Sequence, residues 1–328
     1  MPAVLVAEDV HKAYGETVAL DGVSLSVDGG EVFGLIGPNG AGKTTLIRSL
    51  TGTTAVDGEI RVFGEPPTAA DPETLSLLPQ SFGPPERLTA RELIRYYAGL
   101  YDDPRDAEGV LADVGLADDA DTWYENLSGG QQRRACVGTA LVNDPDLLFL
   151  DEPTTGIDPA GRRDLWGLVE DLADGGTTVF LTSHYMEEVE RLADRVGLLS
   201  DGQIVATGSP EELIAEYGGE SRLTVRTDGA PGALEGTDFT VVAGEEGLVF
   251  EGIEPTDIGE AVAALEANGV AYESLTWAEP GLEDVYLRLT GEAFGEGAGG
   301  GTGTDDAALA EEAAASPDVE TPAAGGDR

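Results

Sequence analysis

The stretch "GPNGAGKTT" spans residues 37–45. It follows the apolar run "EVFGLI" (31–36) and leads into "LIRSL", so a strand enters a glycine-rich turn and a helix leaves it. The spacing fits G-x-x-x-x-G-K-[ST], a loop built to hold phosphate. Gly37, Gly40 and Gly42 let the loop through Pro38 bend so that the backbone N–H groups from Asn39 and Ala41 to Thr45 wrap an anion, and the helix start adds its positive dipole end. Lys43 is expected to reach the β- and γ-phosphates of ATP, and Thr44, followed by Thr45, to offer its hydroxyl to Mg²⁺. The alternative is a glycine-rich strand–helix turn with no ligand. Lysine is scarce, Lys12 being the only other one. A composition that uses arginine elsewhere keeps a compact ammonium here, where a flexible stem suits a phosphate.

Outward from this loop the pattern alternates between strands and helices, which implies an α/β fold. Residues 3–10 and 18–27 read as strands, as do "EIRVFG" (59–64) and "LSLLP" (75–79). Helical periodicity runs over 89–100 and 104–115, and from Ser128 to about Val142. Ser128 and Gln131 have capping-box spacing. A cap needs no glycine pair, so Gly129 and Gly130 imply something approaching bare backbone at this helix end. "DLLFLDEP" (146–153) and "TTVFLTSH" (177–184) are buried parallel strands by composition, with helices after Pro159 and Tyr185. "VGLLSDGQIVATG" (196–208) reads as a hairpin. The expected division is an ATPase domain over 1–217 with a helical subdomain at about 81–142, then a small α+β domain over 218–290. Within the latter, strands "RLTVRT", "FTVVAG", "GLVFEG" and "AYESLTW" accompany helices over 255–268 and 281–289. Residues 291–328, rich in Gly, Ala and acid, are expected to form a disordered acidic tail.

Asp+Glu total 63 against 18 Lys+Arg, a net charge of −45 spread along the whole chain. The apolar periodic segments are intact, so the acid does not signal disorder. It reads as adaptation to molar intracellular salt, where screening suppresses self-repulsion. It also argues against nucleic acid as a main ligand. The single cysteine, Cys136, excludes an internal disulfide and fits a reducing cytosol. No run of about 18 apolar residues is present, and the start lacks the basic region of a signal peptide.

Two acids and a histidine end the apolar strands. Asp151 is placed as a Mg²⁺-associated acid. Glu152 reads either as a surface acid in an acid-rich chain or as the group that polarises an attacking water, since ligands of open α/β sheets bind at strand carboxyl ends. His184 reads either as a structural histidine or as a hydrogen-bond donor to charge developing on a γ-phosphate.

These motifs, in this order, resemble the nucleotide-binding subunit of ATP-binding cassette (ABC) transporters over about residues 1–217. "GPNGAGKTT" resembles Walker A, "LLFLDEP" resembles Walker B with Glu152 as base, and "LSGGQ" (127–131) matches the family signature in full. The resemblance implies a P-loop NTPase cassette, with Gln80 as the Q-loop glutamine that joins Thr44 and Asp151 at Mg²⁺. It implies His184 as the switch histidine and "TTGID" as the D-loop ending at Asp158, with Ile157 where leucine is commoner. Tyr14 is placed like the aromatic that stacks on adenine, a core aromatic being the other reading. In this family two subunits pack head to tail, so Ser128, Gly129, Gly130 and Gln131 would approach ATP held by a second ATP-binding subunit, here a second copy of the chain. A transmembrane permease subunit is the other implied partner. The implied location is the cytoplasm, peripheral on the inner face of the membrane through that permease. "LTARELIRYYAGLY" (88–101) and "LTWAEPGLEDVYLRLTG" (275–291) resemble the daunorubicin-resistance-like exporter subfamily.

Two other classes fit less well. A soluble ABC ATPase of translation carries two cassettes, and one of DNA repair carries a long coiled-coil insertion; this sequence has one cassette and no such insertion. A GTPase would want an Asn-Lys-x-Asp reader, which neither lysine supplies. A small-molecule kinase leaves "LSGGQ" unexplained.

Overall fold

The computed structural model describes residues 2–234, 236–244 and 247–291. The tail expected to be disordered lies outside the described residues from 292 onward.

The main sheet has six strands in the order β5 (Leu75–Leu78), β6 (Leu147–Asp151), β7 (Thr178–Ser183), β3 (Val32–Ile36), β8 (Arg195–Ser200) and β9 (Gln203–Gly208). The first five run parallel and β9 returns antiparallel to β8. Every residue of β3, β6 and β7 is buried, which is why these segments read as continuous apolar runs. Their side chains alternate between two cores. Phe33, Phe149 and Phe180 face one side, the Phe180 ring stacked on Phe33 and tilted against Phe149 at centroid distances of 5.4 Å, while Leu148, Leu150, Val179 and Leu181 face the other. Each such aromatic contributes roughly 1.5–3 kcal/mol by burial.

A second, three-stranded antiparallel sheet has the order β2 (Thr17–Asp28), β1 (Ala3–Tyr14), β4 (Asp57–Val62), and shares the Phe33 core with helix α1 (Lys43–Leu50). β1 extends beyond the alternating stretch 3–10 and closes a hairpin at Tyr14 opposite Thr17. Register shifts around Val10 and Lys12 break the period of two, so the sequence pattern stops where the strand does not.

On the opposite face lie α2 (Ala90–Ala98), α3 (Ala107–Asp113) and α4 (Gly129–Ala140), packed on one another, with α5 (Pro159–Asp174) and α6 (Met186–Leu192) against the sheet. The short helix α7 (Pro210–Leu213) runs into a π-helical turn, Ile214–Gly218. Beyond it, β10 (Arg222–Arg226), β11 (Thr240–Gly244), β12 (Gly247–Glu251) and β13 (Ser274–Ala278) form an antiparallel sheet of order β11-β12-β10-β13. Helix α8 (Ile258–Ala267) joins it in a separate core containing Phe250, Ala261 and Leu265. The final helix, α9 (Leu282–Thr290), instead inserts Leu282, Val285 and Tyr286 into the core of α2–α6. Glu190 on α6 accepts the Leu282 N–H at 2.5 Å, holding the start of α9.

Register decides where the chemistry collects. Ile36 lies opposite Ser183, and Asp151 opposite Thr182. The carboxyl ends of β3, β6 and β7 are therefore level, and Gly37, Glu152 and His184 leave the sheet at one edge.

Candidate nucleotide-binding site

The loop after β3 turns on Gly42, which has φ 108° and caps α1 without a side chain. A Cβ there would collide with the Ala19 carbonyl oxygen, so both conformation and space require glycine. Gly40 has φ 87° with nothing within 4 Å of an added Cβ; Asn39 is exposed beside it. Lys43, 4% exposed, bends back over the loop. Its Nζ donates to the carbonyls of Gly37 at 2.7 Å and Pro38 at 3.1 Å, and pairs with Glu152 Oε1 at 3.1 Å. The ammonium's three donors are thus all engaged.

Four groups converge on the Glu152 carboxylate, itself 6% exposed. Besides Lys43, Gln80 Nε2 donates to Oε2 at 3.0 Å, Thr155 Oγ1 donates at 3.2 Å, and His184 Nδ1 lies 3.0 Å from the same oxygen. Burial pushes the carboxyl up, but Lys43 and then His184 outweigh it and hold it below its ordinary value. Glu152 is therefore the anion at neutral pH. Its backbone has φ 45°, strained for a residue with a side chain, and its N–H is held by Thr182 through the carbonyl at 3.2 Å and Oγ1 at 3.0 Å.

Asp151 is 2% exposed and bridges two hydroxyls, accepting from Thr44 Oγ1 at 3.0 Å and Thr182 Oγ1 at 2.6 Å. No group of three or more His, Cys, Asp or Glu among the described residues is arranged to hold a metal ion by itself. One carboxylate, one hydroxyl and the Gln80 amide are a hard, oxygen-bearing set with few charges. That suits Mg²⁺, which keeps waters and takes further ligands from phosphate.

The Ser128 capping box is present: Gln131 N–H donates to Ser128 Oγ at 3.3 Å, and Ser128 N–H donates to Gln131 Oε1 at 3.0 Å. The two glycines beside it have different reasons. A Cβ on Gly130 would lie 2.9 Å from Gly161 Cα on α5, so this glycine permits a close crossing of two helices in one chain. A Cβ on Gly129 would meet nothing within 4 Å, and Ser128 and Gly129 are both exposed. Only this half of the pair is left without an internal explanation. Gly130→Ala is expected to destabilise the fold by about 1–3 kcal/mol, the usual cost of overpacking. Gly129→Ala is expected to leave the melting temperature unchanged or slightly raised. Thermal melting of the two variants side by side checks this.

Asp158 caps α5, accepting the Gly161 N–H at 3.4 Å. Tyr14 is half-buried at the end of β1 with Lys12 Nζ 4.9 Å from its ring centroid. These residues and the Ser128 end are not joined by any hydrogen bond to the Lys43–Glu152 group.

Three residues absent from the sequence reading hold the site. Thr182 supports both Asp151 and Glu152; its signal in the sequence is a polar residue directly after the apolar run Val179–Leu181 of a buried strand. Arg133 on α4 donates to the carbonyls of Pro153 at 2.7 Å, Asp151 at 3.2 Å and Glu152 at 3.4 Å. Nothing in "QQRRA" distinguishes Arg133, which grips carbonyls, from its neighbour Arg134, which reaches the Val114 carbonyl and Asp164. Thr155 follows the strand end and reads as loop.

The chain is similar to known proteins over most of its length. The sequence model described as ABC transporter matches residues 20–155. The linearmycin resistance ATP-binding protein LnrL of Bacillus subtilis is 37% identical over 309 residues, covering 89% of this chain and 99% of that protein. The daunorubicin resistance ATP-binding protein DrrA3 of Streptomyces coeruleorubidus is 37% identical, covering 88% and 96%. The Nod factor export ATP-binding protein I of Cupriavidus metallidurans is 37% identical, covering 89% and 98%. Among solved structures, the ADP conformation of MJ1267, an ATP-binding cassette of an ABC transporter, superposes with TM-score 0.59 at 30% identity, covering 66% of this chain and 95% of that one.

Proposed function

The chain belongs to the ATP-binding subunits of ABC transporters, which bind ATP with Mg²⁺ and hydrolyse it to power transport, and from that premise we propose that it drives a separate transmembrane exporter from the inner face of the membrane. The observation that carries the catalytic part is the convergence of Lys43, Gln80, Thr155 and His184 on the buried Glu152 beside the phosphate loop. Glu152 is the base: an ionised carboxylate at the strand edge accepts a proton from the attacking water. His184 and Gln80 orient it and face the γ-phosphate. The phosphates draw the Lys43 ammonium from Glu152, which leaves the carboxylate free for water. Thr44, Asp151 and Gln80 would hold Mg²⁺, which would neutralise phosphate charge. The backbone of Gly37–Thr45 would cradle the phosphates, and Tyr14 would stack on the adenine ring.

The exposed Ser128–Gly129 end of α4, with Gly130, Gln131 and the Asp158 loop beside it, completes an ATP site on a second copy of the chain. The outward direction rests on the relatives, which are named for linearmycin resistance, daunorubicin resistance and Nod factor export. No described helix is long and apolar enough to cross a membrane; the assignment of the translocation path to a separate subunit rests on the relatives, which are named as ATP-binding proteins. The test is affinity purification of the tagged chain from detergent-solubilised membranes. A stoichiometric multi-span membrane protein is the expected companion. Recovery with ribosomes or DNA instead would favour a soluble ABC ATPase.

The acidic surface reads as adaptation to high salt. Lowering salt lengthens the screening distance from about 3 Å at 1 M to about 10 Å at 0.1 M, so acids that ignored each other repel. The melting temperature is expected to fall steeply over that range of KCl. A flat profile would count against the halophilic origin.

A further inference from the structure

Glu188 lies on α6, four residues beyond His184, and is 0% exposed. A carboxylate so deep is costly unless donors surround it. Three do. Ser183 Oγ donates to Oε2 at 2.5 Å, Thr154 Oγ1 donates to the same oxygen at 3.1 Å, and Trp166 Nε1 donates to Oε1 at 2.9 Å. The donors come from three segments that otherwise have separate tasks. Ser183 ends β7 and immediately precedes His184. Thr154, 1% exposed, lies two residues beyond Glu152 in the loop that ends at Asp158. Trp166 is on α5, the helix that Asp158 caps. An acid that only filled this volume would need no such set, since an apolar side chain packs there without a desolvation cost.

We propose that Glu188 is a positioning residue for hydrolysis: it ties the loop carrying Thr154 to the strand end carrying His184, so that the base and the histidine keep one spacing across the γ-phosphate site. The proposal rests on the assignment of Glu152 as base and His184 as its partner.

Glu188→Gln is the informative change. The carboxylate takes hydrogen bonds on both oxygens, whereas an amide must present its NH₂ to one set. With its oxygen turned to Trp166, the NH₂ faces the two hydroxyls. Ser183 has another acceptor, the Tyr185 carbonyl at 3.4 Å. The Thr154 hydroxyl makes its hydrogen bond to Glu188; facing an NH₂ it can only accept, and its own hydrogen loses that acceptor. Glu188→Gln therefore disturbs the tie that Thr154→Val removes.

In ATPase assays on the full chain, in the membrane-subunit complex, each variant is expected to lower kcat about tenfold, a moderate loss for a misplaced reacting group, with KM for ATP changed less than about twofold. The double variant is expected to be no slower than Thr154→Val alone. Wild-type kcat in Glu188→Gln, additive losses in the double variant, or parallel loss of kcat, ATP affinity and melting temperature would each overturn the proposal. If Glu188→Gln does not fold, Thr154→Val carries the test, and normal kcat there overturns it. Glu152→Gln in the same assay separates the two levels. Its failure to lose turnover sinks the assignment of the base, whereas its loss alongside normal kcat in Glu188→Gln sinks only the positioning role.

Discussion

Glu152→Gln is expected to bind ATP and hydrolyse it about 10²–10⁴ times more slowly than the wild type, the usual cost of losing a positioned base. The amide keeps the shape of the carboxylate but cannot take a proton from water. Binding survives because Lys43 remains held by the Gly37 and Pro38 carbonyls, ready for phosphate. The same change removes one member of a buried ion pair with Lys43. Such a loss can cost about 3–5 kcal/mol, tempered here by the carbonyl contacts, so melting must be measured beside turnover. In the presence of ATP the lost stability returns, because phosphate replaces the missing anion. The unhydrolysed nucleotide remains between two cassettes, so a dimer should accumulate with ATP and appear by size-exclusion chromatography. Near wild-type turnover would remove Glu152 from its role.

Mixing two inactive variants is expected to restore activity. Lys43→Ala removes the phosphate lysine; Ser128→Arg blocks the exposed end of α4. Each homodimer has two damaged sites. In a mixed dimer one site joins both defects, while the other joins the intact loop of the Ser128→Arg chain to the intact helix end of the Lys43→Ala chain. Random pairing makes about half the dimers mixed, each with one good site, so recovery is partial. Gly129 makes the experiment pointed: among the two glycines of "LSGGQ" it alone meets nothing in its own chain, whereas Gly130 is accounted for by Gly161. A confirmed mixed dimer that neither closes on ATP nor turns it over would sink the shared site. The membrane partner is included in the mixture, and mixed dimers are verified by two tags.

Much of the molecule is legible in its sequence. The α/β alternation, the strand–loop–helix at 31–50 and the capping box at Ser128 follow from local chemistry: apolar periodicity, glycine at positive φ, and a hydroxyl three residues from a glutamine. Lys43 and Thr44 are legible from the spacing of the glycine-rich loop, and Asp151, Glu152 and His184 because each stands at the end of an apolar run, where parallel strands expose their carboxyl edges. Gln80, Tyr14 and Asp158 came from resemblance rather than from their own surroundings.

Tertiary structure decided what no local pattern encodes. Strand register, set by pairings between residues some 30 to 150 positions apart, levels β3, β6 and β7 and brings Lys43, Gln80 and His184 onto one carboxylate. Thr182, Arg133 and Glu188 acquire their roles only from what surrounds them, since a buried polar group must find its partners wherever the fold supplies them. The periodicity of 281–289 predicts a helix but not its destination: α9 leaves the small sheet it follows in sequence and buries Tyr286 against the larger core. The two glycines of one dipeptide serve different ends for the same reason. Conformational freedom is a property of the residue, readable in the sequence; the need for that freedom comes from the atoms opposite, and only the folded chain places them.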